Sequence, residues 1–172
     1  MAQKGSEPAR FAFSGSQVLF SRVDGLAGKI REAAQYPCAQ KAKRIKRFYA
    51  QFEAWHWYSQ ESLRLKNDYL LATSVSKFIL FSGRLILAHS ELLYPYHKWF
   101  LRVLEGATDK PGGFMESIHK LNASPTIENI AALYEKVKTF QPWIAGEFSW
   151  PTQFMFDSEW NWMDGETPVD DL

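Results

Sequence analysis

The chain has 172 residues, 46% of them hydrophobic and 23% charged, which suits one globular domain with a real core and hardly two. A formal net charge of +1 withholds the basic excess that a dedicated nucleic-acid binder carries. Cys38 is the single cysteine, so an intrachain disulfide and a thiolate metal cluster are excluded.

The first ten residues read as disordered, and Phe11–Phe20 holds room for a short strand around Gln17–Phe20 that ends at the turn dipeptide Asp24-Gly25. Residues 1–24 are therefore expected to be a flexible segment, and 25–172 a helical domain. From Leu26 the pattern turns helical, with Leu26, Ile30 and Ala33/Ala34 on one face, and stops before Pro37. A long helix follows from about Cys38 to Lys66. Ile45, Tyr49, Phe52, Trp55 and Ser59 form its apolar stripe, and Lys43, Arg47 and Gln51 fall away from it. Asn67-Asp68 supplies a break and an N-cap.

The next helix, Tyr69 to about Leu92, is apolar nearly all round, as in the middle of a bundle. Lys77, Arg84, His89 and Glu91 interrupt its apolar run, which falls short of the roughly 20 residues of a bilayer span, so no membrane is expected. Lys77 and Arg84 share one face as a polar stripe. Tyr94-Pro95 ends this helix; His97–Leu104 is a short one closed by Gly106, Phe114–Leu121 is another, and Thr126 caps a last helix that stops near Gln141-Pro142. The final residues show no period and are expected to wrap over the bundle through Trp143, Trp150, Phe154 and Phe156. The fold expected is an all-α bundle of about five or six helices with a short extended N-terminal segment and an irregular aromatic tail.

Aromatic residues make up 16% of the chain, a surplus that points to thick helix packing before it points to a ligand. Charge is uneven: Lys41, Lys43, Arg44, Lys46 and Arg47 form a basic run, whereas the chain beyond Asp157 has acids and no Lys or Arg. The run reads as a solvated helix face, or as a surface for phosphate or an acidic partner. The lone cysteine and the absence of an apolar leader fit a reducing cytoplasm.

Phosphate-binding glycine loops, the nucleophile elbow and zinc-ligand spacings are absent from the sequence. At Arg84–His89 the sequence matches Arg-x4-His, which resembles the ribonuclease motif of HEPN-domain proteins. That resemblance implies a phosphate-stabilising Arg84 and an acid–base His89, in a homodimer with a shared cleft. Leu85 stands where a polar residue is usual, and a five-residue step turns about 140° around a straight helix.

A longer signal runs from Arg64 to Trp99. Asp68, the helix with Arg84, then Tyr94-Pro95 and Lys98-Trp99 resemble the C-terminal helical domain of a bacterial nucleotidyltransferase family related to aminoglycoside adenylyltransferases. His89 departs from an expected Asn. Val18–Phe20 through Leu26 resembles the link out of that family's catalytic sheet, and Asp157–Trp162 with Asp170-Asp171-Leu172 resembles its end. The family's Gly-Ser and paired Asp-x-Asp/Glu hold its metals; here Gly15-Ser16 is followed by Asp24 with Leu26 at the second position.

The resemblance implies a helical substrate-binding or cap domain, not catalytic alone, with no cofactor of its own; magnesium and nucleotide would enter with a catalytic partner domain. Arg84 and Lys98 would meet phosphate or another acidic group, and Tyr94 and Trp99 would stack on a ring, of a nucleotide or other small molecule. A HEPN-like ribonuclease and a non-catalytic protein-interaction module are the alternatives.

Overall fold

The computed structural model describes residues 6–163, 165 and 169–171, the last of these by its backbone alone. Expectations for residues 1–5, for the side chains of Asp164, Glu166 and Asp171, and for Leu172 lie outside the described residues. In chain order the helices are α1 (Glu7–Ser14), α2 (Leu26–Ala33), α3 (Lys41–Leu65), α4 (Asp68–His89), α5 (Phe100–Gly106), α6 (Phe114–Ala123), α7 (Ile127–Lys138) and α8 (Trp150–Met155). Short 3-10 turns lead into α3 and α5, and a π turn at Phe156–Trp160 continues α8.

The all-α class holds, with no strand among the described residues and more helices than expected. At the N-terminus, Glu7–Ser14 is helical, with a proline in its first turn where the missing N–H is harmless. Residues 15–25 carry no strand, because no neighbouring strand is present to share a ladder. The C-terminal region is more regular than expected, being helical or turned from Trp150 to Met163.

The central pair is α3 and α4. At the end of α3, Lys66 turns left-handed (φ 52°), and Asn67 N–H donates back to Ser62 O at 3.0 Å, a six-to-one closure of the helix. Asn67 then caps α4, its Oδ1 accepting from Leu70 N–H at 3.0 Å. Two residues thus reverse the chain, and the helices pack antiparallel. Phe48 meets Phe81 with ring centroids 6.2 Å apart, and one turn on Phe52 meets Phe78 at 5.4 Å. All four rings are buried, and each stabilises the fold by roughly 1.5–3 kcal/mol relative to exposure.

α7 adds Tyr134, stacked on Phe52 at 5.2 Å and on His56 at 3.8 Å. α8 lies along the other flank of α3, with Phe154 edge-on to Trp55 at 6.1 Å. Trp143 is buried as expected, whereas Phe156 is exposed. Arg47 and Gln51 do not face solvent: both are buried on α3 beneath this segment, because Asp157 and Ser158 supply the partners that periodicity could not foresee.

Contrary to the sequence expectation, α4 is by length and composition apolar enough to cross a bilayer, with a mean hydropathy of 1.5 in its best window. Within the fold 67% of that window is buried, which is the pattern of a core helix.

Close approach of α5 to α4 depends on Gly83. A Cβ there would lie 2.5 Å from Leu104 Cδ1 and closer still to the Phe100 ring, and both side chains are buried with nowhere to swing. Gly83→Ala is expected to destabilise the protein by about 1–3 kcal/mol of overpacking, reduced by alanine's better helix propensity. Urea unfolding checks this; an unchanged or higher midpoint would mean that α5 can retreat without loss.

Candidate functional site

Among the described residues Arg84 is one of the largest fully buried side chains. A cation of this size is tolerated inside only when its charge and its faces are met. Phe48 covers one side of the guanidinium, 4.4 Å from its carbon to the ring centroid, and Tyr94 approaches at 4.2 Å. Its edge turns to acceptors from both ends of the chain. Nη2 lies 3.6 Å from Glu7 Oε1 on α1, and Nη1 donates to the backbone oxygen of Asp170 at 3.3 Å.

Glu7 is itself buried and accepts from two donors, Arg44 Nη1 and the Tyr94 N–H, which donates to Oε2 at 2.7 Å, while the Arg84 guanidinium stands beside it as an ion-pair partner. Arg10, one turn along α1, donates from Nε to Ala33 O at 2.9 Å and from Nη2 to Gln35 O. Burial lowers the pKa of the Arg84 guanidinium from its ordinary value, and Glu7 opposes that shift. Burial, followed by Glu7, raises the Tyr36 phenol, whose hydroxyl has no hydrogen-bond partner among the described residues.

The polar stripe of α4 is completed by Lys77, which pairs with the Asp170 carboxylate while Arg84 takes that residue's carbonyl. The basic run of α3 is solvated only in part: Lys43 and Lys46 are exposed, as a solvated face requires, whereas the two arginines turn inward. Arg44 and Arg47 are each only 4% exposed, Arg44 pairing with Glu7 and Arg47 with Asp157, and Lys41 pairs with Glu91 at 2.9 Å. These acids belong to the same chain and neutralise three of the run's five cations internally.

The four residues named for substrate binding form a connected path with two ends of different character. Arg84 and Tyr94 are buried and touch each other. The Tyr94 hydroxyl shares a hydrogen bond with His97 Nδ1 at 3.2 Å, which begins the turn carrying Lys98 and Trp99. Trp99 is 42% exposed, with Lys98 Nζ 5.1 Å and the Arg102 guanidinium 5.7 Å from its ring centroid. Tyr96 adds an exposed ring on a backbone at φ 70°, a conformation that bulky residues seldom adopt. Arg102 and Tyr96 went unnoticed in the sequence; the cation one helical turn after Trp99 was the available signal for the first.

Arg84 and His89, the alternative ribonuclease pair, have separate partners. His89 Nε2 lies 2.7 Å from the exposed Asp109 carboxylate, with its ring edge-on to Phe140 and Trp143. Among the described residues no three His, Cys, Asp or Glu gather where a metal ion would be held.

Comparison with family models, with curated proteins and with solved structures finds no match to this chain.

Two outcomes follow from this geometry. Arg84→Ala leaves Glu7 buried beside a void and is expected to cost about 3–5 kcal/mol, whereas exposed Lys98→Ala stays within about 0.5 kcal/mol; chemical denaturation of both separates bracing from surface roles. His56, pushed down to about 4 by burial against Tyr134, resists protonation in the folded state. The unfolded chain binds that proton first, so stability is full above pH 6.5 and falls as the pH drops towards 4. His56→Phe should flatten that limb of the stability–pH curve, and an identical limb would assign it to other groups.

Proposed function

We propose that this chain is a helical substrate-binding or cap domain of a nucleotidyltransferase-like protein, with its ligand surface at the corner formed by Tyr96, Lys98, Trp99 and Arg102. The observation that carries this reading is the exposed Trp99 ring between two cations. An aromatic face flanked by Lys and Arg can stack on a base while the cations meet phosphate. The left-handed Tyr96 supports it, since strain of about 1–3 kcal/mol persists only where the surroundings impose it and gathers at ligand sites. The order of the motifs from Asp68 through Arg84 and Tyr94-Pro95 to Lys98-Trp99 supplies the family part of the reading.

In this reading Arg84 and Tyr94 do not touch ligand. They brace the corner from beneath, through the Tyr94–His97 hydrogen bond. Magnesium and the transfer chemistry belong to a catalytic partner domain, because the sequence lacks the paired carboxylates that would hold the metal.

Calorimetric titration of magnesium ATP into the purified chain tests this. Saturable binding is expected, weakened by roughly 5- to 100-fold in Trp99→Ala, the range of one base–aromatic stack, and to a smaller degree in Lys98→Ala. An undetectable wild-type isotherm, or one that Trp99→Ala leaves unchanged, overturns the stacking role. Cleavage of RNA by the same sample, lost in His89→Ala, would instead establish the ribonuclease alternative.

A further inference from the structure

We propose that Arg44, Arg84, the Tyr94 amide and the Tyr36 hydroxyl form a binding site for a phosphoryl group, which Glu7 occupies while α1 is docked. This site is separate from the Trp99 corner and does not depend on the nucleotidyltransferase reading.

The first argument is how α1 is attached. Its buried residues are Glu7 and Arg10, both charged, and none of its apolar residues is buried. Its neighbour α2 has no buried residue. The connection over 15–25 is exposed, with Leu19 and Phe20 at 88% and 78%. A helix normally docks by burying an apolar stripe. This one docks by inserting a carboxylate, an attachment that a competing anion can replace.

The second argument is what the carboxylate enters. Two guanidiniums and a backbone N–H converge on Glu7, the donor set that recognises oxyanions in general. Phe48 and Tyr94 hold Arg84 in place on α4, independently of α1. Arg44 is fixed on α3, with Gln40 Oε1 accepting from its Nε at 3.3 Å and its Nη2 at 3.2 Å. These donors stay when α1 leaves, whereas Arg10 departs with it.

The third argument selects phosphoryl over carboxylate. The Tyr36 hydroxyl is buried without a hydrogen-bond partner among the described residues, within electrostatic reach of Glu7, Arg44 and Arg84. A planar carboxylate with two oxygens, each already accepting from a donor, leaves it unmet. A tetrahedral group brings an additional oxygen and up to two negative charges to the two arginines, and that oxygen is the acceptor assigned to Tyr36. Replacing a buried ion pair by apolar residues is often neutral or stabilising, so stability alone is a weak reason for this cluster.

The probe is inorganic pyrophosphate, titrated by calorimetry at an ionic strength held constant with potassium chloride. Glu7→Ala should bind it at least about tenfold more tightly than the wild type, since the occupied fraction of the site no longer has to be vacated. The double variant Glu7→Ala/Arg44→Gln should lose that binding. Equal affinities for wild type and Glu7→Ala, or no binding to either, overturn the competition and leave a structural ion cluster. Acetate that binds Glu7→Ala as well as pyrophosphate does overturns the assignment to a phosphoryl group. Should Glu7→Ala fail to fold, hydrogen exchange on the wild-type chain decides. Pyrophosphate must accelerate exchange of the amides from Arg10 to Ser14, and unchanged exchange refutes displacement of α1.

Discussion

The guanidinium of Arg84 sits where the core would otherwise hold a hydrocarbon, and the fold is arranged around that fact. A buried cation without partners would cost several kcal/mol. Phe48 and Tyr94 lend it their rings, Glu7 lends a carboxylate and Asp170 a carbonyl. These partners come from α1, α3, the segment after α4 and the last described turn, so one side chain ties the N- and C-terminal regions to the central hairpin. The contacts also explain why Tyr94, in the irregular stretch after α4, which ends at His89 and not near Leu92 as expected, is fully buried instead of lying at the surface.

Two kinds of cohesion coexist. The α3–α4 hairpin, with α5 and α7, is held mainly by stacked rings and aliphatic side chains, with His56 and the Glu53–Tyr134–Lys138 cluster as its polar elements. The terminal regions add charge: Glu7 on Arg44 and Arg84, and, beside the apolar contacts of Phe154 and Val169, Asp157 on Arg47 and Asp170 on Lys77. Partly buried pairs of this kind are screened less than surface ones, but they respond to competing ions in a way that an apolar core does not. The basic run on α3 is the counterpart of this division. It gives the helix a charged end that collects acids from distant parts of the same chain, which is why the near-neutral net charge conceals strong local pairing.

The parts of this fold legible in the sequence are the local ones. Asn67 and Thr126 are read as caps because a short polar side chain before an apolar run has one economical use, and both accept the expected backbone N–H. The shared face of Lys77 and Arg84 follows from helical period alone, and both meet Asp170. What escaped is the long-range pairing. Periodicity assigns Arg47 and Gln51 to solvent because it knows only their own helix, whereas α8 and the turn after it supply polar partners from beyond residue 150. Glu7 was hidden in a stretch too short and too polar to show a period. Its one local signal was a serine followed by Glu-Pro, the opening of a helix. The Trp99 corner was half visible: Lys98 and Trp99 drew notice as a pair, but the left-handed backbone of Tyr96 has no sequence signature, since bulky residues seldom adopt it.

Tyr94 joins the two halves of the molecule's chemistry. Its backbone amide binds Glu7, its ring covers Arg84, and its hydroxyl reaches His97 at the start of the turn that presents Trp99. Any displacement of Glu7 removes an acceptor from the amide of the residue that braces the corner, two positions before the strained Tyr96. Glu7 on α1 and the turn that opens the Tyr96–Arg102 corner thus both contact one residue.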